Sequence, residues 1–134
     1  MKGKCSLEFL SKYGSQFYGL FRILVGLMFF MHGTGKMFGW FGGSAVALGS
    51  LIGVAGIVET VVGLALVLGF WTRLAAVGGA ITMLVAYFYM HAGLNPLASG
   101  GELAVMYFVA FLVMIRDGAG DWSLEKKLSG KEKF

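Results

Sequence analysis

Long apolar stretches, each about the length of a membrane-crossing helix, alternate with short polar breaks along the chain. Four stretches have this character, and they cover residues 17–38, 45–70, 74–90 and 97–115. A helix needs roughly 20 apolar residues to cross the roughly 30 Å of a bilayer's hydrocarbon core. Strict alternation of polar and apolar residues, the mark of membrane β-barrel strands, is absent. The pattern predicts an all-α membrane protein with four transmembrane helices in an antiparallel bundle.

The breaks between the stretches set the expected domain organisation. Glycines follow the first stretch, "GFWTR" over 69–73 connects the second to the third, and a loop bearing Pro and Gly covers 91–101. The expected parts are an N-terminal arm over 1–16, a transmembrane domain over 17–116 and a basic tail over 117–134.

Composition supports lipid as the surrounding solvent. The chain has 134 residues, of which 57% are hydrophobic and 13% charged, whereas soluble domains carry roughly 25% charged residues. The net charge of +4 arises mainly from the chain ends. It forms no basic stripe interleaved with stacking aromatics, so the sequence does not indicate a nucleic-acid partner. Cys5 is the single cysteine and cannot form an internal disulfide.

The distribution of Lys and Arg predicts the orientation. With four spans, the N-terminal arm, the 69–73 turn and the tail lie on one side of the membrane, and the 91–101 loop lies on the other. The loop has no Lys or Arg, whereas the three segments on the opposite side hold most of them. By the positive-inside rule both termini are cytoplasmic. The cations on that side are Lys2, Lys4, Lys12, Arg73, Arg116, Lys126, Lys127, Lys131 and Lys133. We expect the basic tail to rest on anionic headgroups.

Ionisable residues inside the spans are the candidate functional residues. His32 and Lys36 lie near the end of the first stretch, His91 ends the third, and Glu102 lies near the start of the fourth. In an antiparallel bundle these positions share the outer, extracytoplasmic end, while Glu59 lies deeper. We therefore expect the five residues to form a polar pocket in the outer half of the bundle.

Glu59 has a structural interpretation as well as a functional one. A charge at the bilayer centre costs about 2.5–3.5 kcal/mol on insertion scales, so this carboxyl needs a partner, water or a bound proton. Small residues flank it at four-residue steps, which is typical of a helix-packing face. A hydrogen bond between helices would make Glu59 structural. Arg22 is interpreted as lipid-facing or topogenic, with a contact to Glu59 as the alternative.

The other four candidates also have simpler interpretations. The Lys36 side chain can extend to the headgroups instead of entering a pocket. His32 and His91 can each be helix-end imidazoles bonded to a backbone carbonyl. Glu102 can be a helix N-terminal charge favoured by the helix dipole.

The order and spacing of several motifs resemble the DoxX family of small four-helix prokaryotic membrane proteins. These motifs are "R…HGTGK" (Arg22, His32, Gly33, Lys36), "GIVETVVGLALVLGFWTR" over 56–73, "H…GGE" (His91, Gly100, Gly101, Glu102) and "GAGDWSLEKKL" over 118–128. The resemblance covers about residues 17–128. It implies four spanning helices in the prokaryotic plasma membrane. It also suggests a link to quinone redox chemistry, because the family takes its name from a subunit of a thiosulfate:quinone oxidoreductase.

Three functions are compatible with these observations. The first is a quinone-linked redox subunit in which His32 and Glu59 act on the quinone and His32, Lys36, Glu59, His91 and Glu102 bind it. A b-type haem held by His32 and His91 is an unfavoured variant. No flavin or nicotinamide motif is present, so a quinone or a partner redox subunit would carry the electrons. The alternatives are a non-catalytic anchor or assembly partner of a redox enzyme, and a small-solute or proton carrier that functions as a homodimer. No metal site is predicted.

Overall fold

The computed structural model describes residues 7–91 and 93–134, and within them the chain forms helices and turns but no strand. The expectations for Lys2, Lys4 and Cys5 lie outside the described residues. A 3₁₀ helix precedes α1 and a 3₁₀ turn follows it. The elements are the 3₁₀ helix Glu8–Tyr13, α1 Gly14–Phe38, the 3₁₀ turn Trp40–Gly42, α2 Leu51–Leu68, α3 Thr72–Met90, α4 Pro96–Ser99, α5 Glu102–Asp117 and α6 Leu124–Ser129. The prediction of an all-α fold is confirmed for the described residues.

α1 and α2 pack against each other in an antiparallel pair with glycines at the contact. A Cβ built on Gly26 would lie 2.8 Å from Leu66 Cβ, and one on Gly63 would meet the backbone of Phe30. At Gly33 the added atom would overlap Thr60. Small residues let two helix backbones approach closely, which is how helices associate in lipid. These glycines therefore form the contact face between α1 and α2.

The ends of α2 differ from the expected span over 45–70. The Ser50 hydroxyl accepts a hydrogen bond from the Gly53 N–H and starts the helix at Leu51, as N-cap serines do. Gly69 takes the left-handed conformation, with φ 68°, and stops it at Leu68. Hydropathy does not identify an N-cap hydrogen bond, so the predicted span over 45–70 begins six residues before the helix does.

The predicted stretch 97–115 is divided in the structure. Gly100 has φ 73° and ends the short helix α4, and α5 begins at Glu102. α5 packs along α3, where a Cβ on Gly79 would lie 2.7 Å from the Phe111 ring. The resulting core is shared by α1, α2, α3 and α5 and comprises Phe29, Val62, Leu66, Ala76, Ala80, Met83, Tyr107, Phe111 and Met114.

Among the described residues, three helices are long and apolar enough to cross a membrane. They are Glu8–Phe38, Leu51–Leu68 and Thr72–Met90. α5 has 16 residues, so it spans about 24 Å, less than the roughly 30 Å of hydrocarbon. The prediction of a membrane protein is supported by these helices, and the fourth span stays a prediction.

Arg22 is buried where α1 meets the chain segment that follows α5. Its side chain is 1% exposed, and its guanidinium donates hydrogen bonds to the carbonyls of Leu66, Ala119 and Trp122. The interpretation of Arg22 as lipid-facing is therefore wrong, and its alternative contact with Glu59 is not formed. Hydropathy predicts that an arginine lies near the membrane interface. It does not reveal which backbone carbonyls accept hydrogen bonds from that arginine in the folded protein.

The tail folds back onto the end of the bundle near the α2–α3 turn. Glu125 is 2% exposed, and its carboxylate accepts from the backbone N–H groups of Trp71 and Lys133. The Ser123 hydroxyl donates to the Gly69 carbonyl. Residues 117–134 are thus attached to the bundle by specific hydrogen bonds, in addition to any contact of their lysines with headgroups.

Candidate functional site

A cavity of about 430 Å³ opens at the end of the bundle where α1 and α3 finish and α2 and α5 begin. Each of these four helices contributes to its wall. Most of the lining is aliphatic or aromatic, and the polar side chains are few. Those polar or ionisable side chains are His32, Lys36, Glu59, Thr82, Tyr89, His91 and Tyr107. An apolar cavity with a small number of polar groups is typical of a small-molecule binding site.

Lys36 and Glu59 form an ion pair in the wall of the cavity. The Lys36 Nζ lies 2.6 Å from each of the two Glu59 carboxylate oxygens. The Glu59 side chain is 1% exposed, whereas that of Lys36 is 31% exposed. A charged partner stabilises a carboxylate buried in this way, because desolvation of an isolated ion is very costly. The partner of Glu59 on α2 is thus a lysine of α1, the helix packed against it.

The helical repeat explains why Glu59 points inward. Residues three or four apart lie on the same helix face, and the buried positions of α2 follow this spacing. They are Gly53, Gly56, Glu59, Val62, Gly63 and Leu66. Gly56 lies one turn before Glu59, and a Cβ there would come within 3.0 Å of Lys36 Cβ. The absence of a side chain at Gly56 therefore makes room for the lysine stem.

His32 lies one helical turn before Lys36 and also lines the cavity. Its ring packs edge-on against Tyr107, with 5.9 Å between ring centroids and an interplanar angle of 87°. His32 and Lys36 also border a second, shallower cavity of about 390 Å³, beside Trp40 and Phe41. The imidazole is exposed, so it stands between the two cavities and is not enclosed in a core.

His91 is oriented by a backbone hydrogen bond. Its Nδ1 lies 2.8 Å from the carbonyl oxygen of Ser99, at the end of α4. A carbonyl only accepts, so Nδ1 must carry the proton that it donates. In the neutral ring Nε2 is then left as an acceptor. The carbonyl-bonded interpretation of His91 is correct, and the same residue lines the cavity.

Tyr107 is a cavity residue that the sequence did not single out. It is 6% exposed, and its hydroxyl has no hydrogen-bond partner among the described residues. Its ring packs against Phe29, with 5.2 Å between centroids. A buried hydroxyl without a partner costs about 1–3 kcal/mol, so its presence needs an explanation. In the sequence it is one of several tyrosines in apolar stretches, and nothing there distinguishes it.

Glu102 lies apart from the other candidates. It is exposed in the first turn of α5 and does not line the cavity. A negative charge at that position is favoured by the helix dipole. Four predicted residues (His32, Lys36, Glu59 and His91) therefore share one cavity and Glu102 does not. In the part of the chain that the structure describes, no group of three or more His, Cys, Asp or Glu side chains could hold a metal ion.

Comparison with known proteins agrees with the resemblance seen in the motifs. The sequence model of the DoxX family matches residues 18–92, more than half of the chain and the part that contains His32, Lys36, Glu59 and His91. An uncharacterised protein of Haemophilus influenzae is 38% identical over a 131-residue alignment that covers 91% of this chain and 98% of that relative. No solved structure matches the chain. The chain belongs to the DoxX family.

Proposed function

We propose that this protein is the quinone-binding membrane subunit of a redox enzyme in the prokaryotic plasma membrane. The observation that carries the proposal is the Lys36–Glu59 ion pair in the wall of an otherwise apolar cavity. A quinone head group is a flat apolar ring with two carbonyl acceptors. It fits an apolar space that supplies one or two hydrogen-bond donors and a group that can pass protons.

Lys36 can provide a donor without giving up its partner. An ammonium group has three N–H donors, and the two Glu59 oxygens each accept from it at 2.6 Å. One donor therefore remains for a ligand, on a side chain that is partly exposed. Tyr107 lines the same cavity, and its hydroxyl, which has no partner among the described residues, offers a second donor.

Reduction of a quinone to a quinol consumes two electrons and two protons. In this proposal a partner redox subunit supplies the electrons. Glu59 and His32 pass the protons, and each is the kind of group that accepts and releases a proton in enzymes. Lys36, Glu59, His32 and His91 bind and orient the ring, while Glu102 has no contact with it.

The proposed topology has four spans, with α5 as the fourth, and both termini in the cytoplasm. α5 carries an apolar outer face that suits lipid, formed by Leu103, Met106, Val109, Leu112 and Val113. Its short length is offset by α4 and the preceding turn, or by local thinning of the bilayer. The cavity then opens in the extracytoplasmic half.

The direct test is quinone binding by the purified full chain in lipid nanodiscs. We expect quinone to co-extract with the wild type and to rebind after its removal. Lys36→Met and Glu59→Gln should each lower the affinity at least about tenfold, the effect of losing one charge-assisted hydrogen bond. Glu102→Gln is the matched control for Glu59→Gln, because it makes the same change outside the cavity, and it should bind normally.

The other outcomes of this experiment identify the competing functions. A Soret absorption band in the purified protein would indicate haem on His32 and His91. Absence of both quinone and haem would exclude the redox proposal and favour an anchor or assembly role. Proton flux into proteoliposomes that depends on Glu59 would favour a carrier.

A further inference from the structure

The side chains that line the cavity between α2 and α3 become more exposed from its base to its opening. Glu59 and Met83 are buried at its base, and Val58 and Ala86 are half-buried. The outermost lining side chains are exposed on the outer surface of the molecule. Four of them are branched aliphatic residues of α2 and α3, which we call the mouth: Leu51, Val54, Ile81 and Val85. Tyr89 and Met90, which also line the cavity, are exposed further toward the C-terminal end of α3.

The mouth ends where α2 and α3 come into contact. Val62 is buried, and its Cγ2 lies 3.7 Å from the position that a Cβ on Gly78 would occupy. This contact lies one turn beyond Glu59 on α2 and closes the gap between the helices. The gap is therefore open beside the ion pair and closed further along the bundle.

Every residue of the mouth is aliphatic and belongs to a helix that is long and apolar enough to cross a membrane. The surface around the mouth is mainly apolar, with Leu84 and Phe88 exposed on α3 beside Tyr89. In a bilayer, apolar exposed surface on such helices faces hydrocarbon. The opening would therefore meet acyl chains, and water would not be its immediate solvent.

From this arrangement we infer that the ligand enters sideways from the bilayer, with its polar head on Lys36 and Glu59 and its prenyl tail lying in the mouth between α2 and α3. The inference rests on the proposed quinone function and adds the path, the orientation and the class of quinone. The protein selects long-tailed, membrane-dissolved quinones over soluble, tail-less ones. Burial of tail methylenes against the mouth supplies that preference.

The test compares variants that fill the mouth with variants that add the same bulk elsewhere. Val54→Trp and Val85→Trp alter the mouth, where the two valines are 47% and 48% exposed. Val61→Trp on α2 and Val77→Trp on α3 are the controls, since these valines are 63% and 39% exposed on the same helices and do not line the cavity. Affinities for a decyl-tailed quinone and for its tail-less head group are measured in nanodiscs. They are expressed per mole fraction of quinone in the bilayer, which removes the effect of partitioning.

We expect Val54→Trp and Val85→Trp to weaken binding of the tailed quinone at least about tenfold, equal to about two buried methylenes. Binding of the tail-less head group should change less, and the controls should resemble the wild type. Equal affinities in mouth and control variants would overturn the lateral path and leave quinone binding intact. A wild type that binds neither quinone would overturn the proposed function together with this inference.

A second measurement covers the case in which a Trp variant fails to insert. A quinone with a diazirine at the end of its tail is photolysed in nanodiscs with the wild-type protein, and the labelled peptides are sequenced. Labels on 51–58 or 81–90 are expected. Labels confined to the outer face of α1, around Leu20 and Leu24, would contradict the proposed path.

Discussion

The Nζ atom of Lys36 on α1 lies 2.6 Å from both carboxylate oxygens of Glu59 on α2. This contact joins the two helices across the cavity wall and gives the buried carboxylate a partner. The two sides of the pair are unequal, because Glu59 is 1% exposed and Lys36 is 31% exposed. A lysine that loses its partner can extend toward water or headgroups, whereas Glu59 has no such route.

The first prediction follows from that asymmetry. Lys36→Met leaves a carboxylate buried without a counter-ion and should lower the free energy of unfolding by about 3 kcal/mol. Glu59→Gln keeps a hydrogen-bonding side chain of the same size and should cost about 1 kcal/mol. The measurement is SDS-induced unfolding of the detergent-solubilised protein.

The double variant Lys36→Met/Glu59→Leu is the control for charge burial. It removes both ions together and should recover most of the stability lost in Lys36→Met. Equal losses in the two single variants would show that the pair is not buried on the Glu59 side.

Tyr107→Phe should leave the ligand-free protein as stable as the wild type or slightly more stable. The hydroxyl is buried and has no partner in the part of the chain that the structure describes, so its removal relieves a desolvation cost of about 1 kcal/mol. Thermal unfolding of the quinone-depleted protein measures this. A large loss of stability would reveal a partner for the hydroxyl within the protein, and its availability as a ligand donor would then be rejected.

Arg22→Met should be among the most destabilising single substitutions. The guanidinium donates hydrogen bonds to the carbonyls of Leu66, Ala119 and Trp122. Losing these bonds should lower the free energy of unfolding by about 3 kcal/mol or more. Trypsin should then cleave the tail after Lys126 and Lys127 faster than in the wild type. Arg116→Met is the control, because the Arg116 side chain is 88% exposed. In this variant, cleavage after Lys126 and Lys127 should proceed at the wild-type rate.

Gly33→Ala should disrupt the pairing of α1 and α2. The added Cβ would overlap Thr60 and lie 2.7 Å from the Gly56 carbonyl oxygen, so backbone must move. We expect a loss of about 2 kcal/mol, within the range for overpacking. Gly14→Ala is the matched control on the same helix. None of the described residues lies within 4 Å of its added Cβ, and the thermal midpoint should hold or rise.

The topology prediction is tested with reporters. A reporter fused after Lys133 should be cytoplasmic, and one inserted near Asn95 should be extracytoplasmic, because most Lys and Arg lie toward the termini. The reverse pattern would move the cavity to the cytoplasmic leaflet. Reporters on the same side of the membrane at both positions would show that α5 does not cross it.

The class of the protein and most of its polar candidate residues could be predicted from the sequence alone. Apolar stretches of membrane length are a local property of the chain, and the family motifs are local as well. Small residues around Glu59 predicted a packed face, and α2 buries Glu59 on such a face. The positions of His32, Lys36 and His91 at one end follow from the antiparallel order of the helices, which short connections impose.

Which of these residues come into contact depends on how the helices pack. Helix rotation and register, which depend on glycine contacts between α1 and α2, give Glu59 the partner Lys36 and direct Arg22 to the carbonyls near the tail. The same packing encloses Tyr107, which no local pattern separates from other tyrosines, and leaves Glu102 outside the cavity. A sequence shows that a buried charge needs a partner. The choice of partner depends on distances of a few ångströms between helices, and only the folded chain fixes those distances.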